Sequence, residues 1–192
     1  MRVNAVFAQW HSPVHFIILQ AQGKMPNWKL IGSLILPNVG GWVGALTMMG
    51  QVKNPTSNAW YQTIKKPSWN PPNWVFGPAW TALYTGMGYA SYMVYRDCGG
   101  LTGRAVLPLA LYGGQLILNW TWTPVFFGMH KVGWALVHIL TLDVAAAACA
   151  VSFFKINPNT AYLMAPYLCW LAFATCLNHS IWELNKDDPK TA

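Results

Sequence analysis

Charge is what this chain has least of. Only 9% of its 192 residues are charged, five acidic and twelve basic, against roughly a quarter in a soluble domain. So few charges cannot clothe a water-facing surface, and an ordinary soluble enzyme is not expected. The basic residues stand alone except for Lys65-Lys66, so no patch follows a phosphate backbone and nucleic acid is not an expected partner. Cysteine is also sparse. Cys98, Cys149, Cys169 and Cys176 show no metal-ligand spacing, and three lie in apolar runs where a thiol serves as a small hydrophobe. The five His are scattered, and no Gly-rich phosphate loop or nucleophile–base pattern appears. No catalytic residue, no metal and no obligatory cofactor are therefore expected.

What the chain does have is apolar length and tryptophan. Hydrophobic residues make up 54%, and twelve are Trp. Uncharged runs cover 30–52, 67–95, 105–130, 132–154 (broken only by Asp143) and 156–182. Each exceeds the ~20 residues a helix needs to cross the hydrocarbon core, and helices are the form that satisfies backbone polar groups there. The spacing predicts helices at about 30–50, 75–96, 105–126, 134–154 and 160–182. A soluble bundle of five helices apolar all round would need an outer layer, and no residues remain to build one. The expected fold is all-α, an integral membrane bundle of five transmembrane helices.

The connections suit that fold. Residues 53–72 carry Asn54-Pro55, Lys66-Pro67 and Pro71-Pro72 and read as one long ordered loop, whereas the other connections are short. Lys and Arg divide six to six between the two sides, so the positive-inside rule assigns no orientation. Residues 1–27 read as an N-terminal extension dispensable to the domain at 28–183, with Met25 as an alternative start. Residues 184–192 read as a polar C-terminal tail.

Within lipid-embedded helices the polar and aromatic exceptions carry the functional information. Trp80, Tyr84, Met87 and Ser91 form one stripe, and Gln115, Asn119, Trp122 and Phe126 a second. Trp134, His138, Thr141 and Ala145 form a third, and Trp170, Ala174, Leu177 and Ile181 a fourth. Converging, they would enclose an aromatic cavity holding an amide and an imidazole, suited to a flat apolar ligand. The competing reading makes the Trp residues interfacial anchors; Trp28, Trp42, Trp60, Trp69 and Trp74 are expected to be of that kind or to fold the loop. Asn119 serves equally well as an interhelical hydrogen bond. The glycines at 40, 41, 44, 86 and 88 and the alanines at 145–148 suit close helix packing or a dimer seam. Asp143 lies about 180° from Trp134 around its helix and is expected to face protein, pair with a donor or be protonated, as a structural contact ahead of a proton or ion relay.

The stretch from Lys66 to Trp80 (KPSWNPPNWVFGPAW), with Leu83-Tyr84 and the run from Met87 to Tyr92, resembles the signature of the translocator protein family. That family is also called the peripheral benzodiazepine receptor or tryptophan-rich sensory protein. Further matches are Leu118-Asn119-Trp120, Phe126-Phe127-Gly128, Gly133-Trp134-Ala135-Leu136 and the run from Pro166 to Thr175. The resemblance covers about residues 28–183. It implies a five-helix bundle, often a homodimer, in the mitochondrial outer membrane of animals or the outer membrane of some bacteria. It also implies binding of porphyrin or haem, sterols such as cholesterol, and benzodiazepine-type drugs. Carried over by motif, the pocket would comprise Trp80, Tyr84, Asn119, Trp122, Trp134, Trp170, Ala174 and Leu177. The periodicity adds His138. The proline-rich loop resembles a lid, with Trp69, Pro71, Pro72 and Trp74.

Two departures qualify the resemblance. Animal relatives carry a cholesterol-contact pattern ending in Tyr and then Arg or Lys, where this chain has His179 and Glu183; such patterns are weak even when intact. His138 stands where relatives often have Asp, and Asp143 where they have a small residue. The expected function is binding of apolar planar ligands for transport or sensing, with the lipid bilayer and a small apolar ligand as partners. The alternatives are light-dependent porphyrin oxidation, or a structural role beside mitochondrial outer-membrane proteins.

Overall fold

The computed structural model describes residues 26–52 and 60–188. The chain divides into two compact units, residues 1–32 and 33–192; the bundle below belongs to the second. Most of the 1–27 extension and the end of the polar tail lie outside the described residues.

Among the described residues six α-helices follow one another: α1 (Trp28–Val52), α2 (Trp60–Thr63), α3 (Asn73–Asp97), α4 (Gly103–Thr123), α5 (Val132–Phe154) and α6 (Ala161–Asn185). Five of them have 21 to 25 residues, or about 32–38 Å at 1.5 Å per residue, enough to reach across a bilayer core. Three stretches, Trp28–Leu46, Val132–Phe154 and Pro158–Asn185, are also apolar enough to do so on composition. α3 and α4 are richer in Tyr, Trp, Asn, Gln and Gly, which dilutes their mean hydropathy without shortening them. Their outward surfaces show the solvent for which the chain is built. Leu36, Val43, Leu46, Leu107, Val137 and Val144 all stand more than half exposed, an arrangement stable in lipid and not in water. The protein is a multi-span helical membrane protein.

Helix ends follow local chemistry. The Asn27 side chain accepts from Leu30 N–H at 3.1 Å and caps α1. Gly99 and Gly100 take left-handed φ values of 72° and 115°, which lets α3 turn into α4 within a few residues. α4 ends at Pro124, which has no N–H to continue the ladder. There the chain widens into a π-helical turn over Pro124–Gly128, closed by Met129 N–H on the Pro124 carbonyl at 3.0 Å. That extra residue per turn lets Phe126 and Phe127 both point inward, at 2% and 5% exposure.

α5 packs on α4 and α6, and α3 closes the other side of α6 and α4. The main core comprises Met87, Val94, Leu116, Leu142, Cys149, Phe153, Met164, Tyr167 and their neighbours. A second cluster at the other end joins Trp60, Tyr61 and Ile64 to Phe126, Phe127, Val132, Leu177 and Ile181. Glycine packing draws α1 in. A methyl group at Gly88 would lie 2.2 Å from the Ser33 carbonyl oxygen, and one at Gly40 would lie 2.1 Å from the Trp120 ring. Trp120 Nε1 then donates to the Pro37 carbonyl at 3.2 Å. Gly40, Gly41 and Gly88 are thus packing seats inside this one chain. All four cysteines are free thiols, and Cys149 is a fully buried core residue.

Against the expected spans, the helices agree within about three residues. The largest differences, about three residues each, are at the end of α4, which stops at Thr123, and at the end of α6, which continues through Asn185. Its buried side chain clamps the loop before α3: Lys65 N–H donates to Asn185 Oδ1 at 2.9 Å, and Asn185 Nδ2 donates to the Lys65 carbonyl at 2.8 Å. Leu184 and Asn185 therefore belong to the helix, not to the polar tail. The long loop is partly helical, and Trp60, expected as an anchor or as a residue that folds the loop, is core at 8% exposure.

Candidate functional site

A cavity of about 380 Å³ opens between the two core clusters. α3 contributes Phe76, Trp80 and Tyr84, α4 contributes Asn119, Trp120 and Trp122, and α6 contributes Trp170, Ala174 and Leu177. The inward stripes of three helices converge as their spacing predicts. The wall also takes Gly40, Gly41 and Gly44 from α1, Tyr61 from α2, and Ile139 and Leu142 from α5. α1 also brings Trp42, Ala45 and Met48 to the wall, so Trp42, expected as an interfacial anchor, borders the cavity while remaining 56% exposed; the glycines carry no side chain for periodicity to mark.

The aromatic rings are held in defined poses. Trp80 stacks on Tyr84 at 5.3 Å and meets Trp170 edge-on at 6.4 Å. Trp122 stacks on Phe126 at 4.9 Å, and its Nε1 donates to the Ala135 carbonyl at 3.0 Å, which fixes its plane between α4 and α5. Such rings present flat apolar faces at little entropic cost, because few torsions remain to be frozen. Beneath them runs a buried polar chain. Tyr84 OH donates to Asn119 Oδ1, Asn119 Nδ2 donates to Tyr167 OH at 3.2 Å, and Tyr167 OH donates to Gln115 Oε1 at 2.6 Å. The chain ties α3, α4 and α6 together where lipid could not satisfy these groups. Asn119 therefore belongs to both readings offered for it, as cavity wall and as interhelical hydrogen bond. Lys66 Nζ lies 4.5 Å over the ring of the wall residue Tyr61. Burial pushes the Tyr61 phenol up and the Lys66 ammonium down from their ordinary ranges.

The stripe expected on the fourth span does not reach the cavity. Trp134 is 67% exposed and absent from the wall. The buried face of α5 runs one position later, through Ala135, Ile139, Leu142 and Ala146. α5 is apolar nearly all round, so a lone Trp is the strongest periodic mark on it, and it points outward; an outward Trp at a helix end suits a membrane interface. His138 goes with it. Its Nε2 lies 2.8 Å from the Leu118 carbonyl, which can only accept, and 3.3 Å from Thr121 Oγ1, bridging α5 to α4 away from the cavity. Asp143 faces protein as expected and accepts from Thr175 Oγ1 at 2.8 Å.

The lid residues are likewise outside the wall. Trp69 rests edge-on against Phe173 at 5.8 Å, Trp74 is 74% exposed, and Pro71-Pro72 lead into α3, where Val75 N–H bonds the Pro72 carbonyl at 3.0 Å. Tyr61 is the residue from this segment that reaches the cavity. His130, at φ 58°, stacks on Trp60 at 4.4 Å and holds α2 against the turn after α4. Among the described residues no group of His, Cys, Asp and Glu could hold a metal ion.

Long apolar helices packed around an aromatic internal cavity define a class: multi-span α-helical membrane proteins with a cavity suited in shape and lining to apolar molecules. The comparisons with known proteins narrow it. Residues 33–183 match the model of the TspO/MBR family. The chain is 47% identical over 161 residues to the translocator protein of Homo sapiens, covering 83% of this chain and 92% of that one. It is 44% identical over 162 residues to the translocator protein of Bos taurus, covering 84% and 93%. To the tryptophan-rich sensory protein of Cereibacter sphaeroides it is 40% identical over 147 residues, covering 77% and 89%. The chain belongs to the TspO/MBR family.

Proposed function

We propose that this protein binds flat apolar ligands in the aromatic cavity and serves as a receptor or translocator for them. The ligand classes are porphyrins, sterols such as cholesterol, and benzodiazepine-type molecules. The reading rests above all on the wall made by Trp80, Tyr84, Trp122 and Trp170. A void of this size in a closed core would forfeit the dispersion contacts of every ring around it. As a ligand site it falls within the usual ~300–1,000 Å³. The kinship with proteins named translocator protein supports the same reading. In this reading all five long helices cross the bilayer, the protein sits in the mitochondrial outer membrane, and two copies pair. Its role is binding and not catalysis.

Quenching of Trp fluorescence by protoporphyrin tests it. The folded wild type is expected to quench in a saturable manner, and Trp80→Phe combined with Trp170→Phe to lose at least tenfold in affinity. Absence of saturable quenching in folded wild type refutes the proposal. The second reading, light-driven porphyrin oxidation by dioxygen, draws on the edge-on pair Trp80 and Trp170 at 6.4 Å. Product formation under illumination that disappears in the same double variant would favour it.

A further inference from the structure

Among the atoms of the cavity wall, one amide oxygen stands out. Asn178 is only 2% exposed and lines the cavity near Leu177 and Ile181. Its Nδ2 donates to the Val132 carbonyl at 3.2 Å, while its Oδ1 is buried with no hydrogen-bond partner. The amide cannot be read the other way round, because the Val132 carbonyl only accepts and must face the nitrogen. The oxygen is therefore left as a buried acceptor on a wall that also takes Tyr61, Phe126, Phe127, Leu177 and Ile181. A buried acceptor without a donor is costly in a core, and costlier where no bulk water reaches. The other unpartnered polar atom on this wall, Trp170 Nε1, is a donor. It sits eight residues earlier on α6, about 12 Å along the axis, so one small group cannot serve both.

Building on the proposed ligand-binding role, we infer that Asn178 Oδ1 is a specificity-determining contact that selects ligands bearing a hydrogen-bond donor at the end that lies beside Asn178 on α6. A fused-ring alcohol meets this requirement: its hydroxyl donates to Asn178 and its carbon skeleton lies along the Trp faces. A ketone of the same skeleton offers only an acceptor and places two oxygens face to face. An ionised carboxylate is likewise acceptor-only, so a dicarboxylate porphyrin turns its acid groups away from Asn178. Discrimination of this kind is stronger than discrimination by one methylene, because the wrong ligand leaves the buried group unpaired.

The test is competition against protoporphyrin quenching in purified, bilayer-reconstituted full chain, using cholesterol, its 3-keto counterpart and the parent hydrocarbon cholestene. Wild type is expected to bind the alcohol about fivefold to tenfold more tightly than the ketone. In Asn178→Leu that ratio is expected to fall to about one. Taking the ratio within each variant cancels any general loss of packing from the lost bond to Val132. The wild-type ratio stands on its own if the variant fails to fold. Equal affinity for alcohol and ketone in wild type, or a preference that survives in Asn178→Leu, overturns the inference. So does failure of the alcohol to compete while protoporphyrin still quenches. Loss of protoporphyrin quenching itself would overturn the underlying ligand-binding reading instead.

Discussion

The two ends of the bundle share α3, α4, α5 and α6 and pack in opposite ways. Toward the turn at Gly99-Gly100, Val94, Cys149 and Phe153 are fully buried, and Tyr112 lies 5.8 Å from Phe153. Aromatic and aliphatic side chains alternate there, and the space is filled. Toward Trp60 and the π-helical turn, aromatic rings meet chiefly one another, and the cavity opens among them. Rigid rings cannot fold into gaps as Leu or Met can, so an end built from them keeps a void. One end fixes the helices; the other holds them apart.

Matched truncations would break this contrast most directly. Phe153→Ala, at the filled end, is expected to cost about 3–5 kcal/mol in unfolding free energy, as a large buried ring leaves an unfilled hole. Leu177→Ala, beside the existing cavity, is expected to cost about 1–2 kcal/mol, below the usual range for a core leucine, since it is packed on fewer sides. Equal losses in reversible unfolding would show that the two ends do not differ in packing. Cutting the buried polar chain between the ends should have an effect of similar size. Tyr167→Phe removes the hydroxyl that both accepts from Asn119 and donates to Gln115, and about 1–3 kcal/mol of stability should go with it. A melting temperature unchanged by that substitution would mean the chain does not join the two halves. The smallest effect is expected at Trp134→Ala. Being 67% exposed and off the wall, it should leave protoporphyrin affinity within about twofold. A loss comparable to that of Trp80→Phe would return Trp134 to the binding site.

Much of this architecture is legible in the amino-acid sequence. The charge gaps place the helices to within about three residues, because in lipid a long uncharged segment has one stable form. The stripes on α3, α4 and α6 are legible because each carries an aromatic or amide mark at helical spacing on a less distinctive background. The α5 stripe misleads for the converse reason. With apolar residues on every side, Ala135 and Ile139 look no more inward than Val137 and Leu140, and only packing against α4 and α6 separates them. The glycines that α1 brings to the wall are invisible as a site, since a missing side chain gives no period, and Trp42 beside them carries no stripe of its own. Tyr61 and Asn185 escape a reading by spacing because their partners lie far along the chain, as with Asn185 and Lys65.

The scarcity of charge by itself determined the solvent, the helical form and the number of long segments, because the cost of placing charge in hydrocarbon depends on composition and not on neighbours. The density of tryptophan also indicated that some rings face inward. Which rings do so was decided only by the tertiary structure. Trp80, Trp122 and Trp170 turn in because each meets a partner there, an aromatic ring or a backbone carbonyl. Trp134 has no such partner among the described residues and turns out. The orientation of Asn178 was likewise set by a single carbonyl on a neighbouring helix. Direction around an apolar helix is a property of its neighbours, and neighbours exist only in the folded chain.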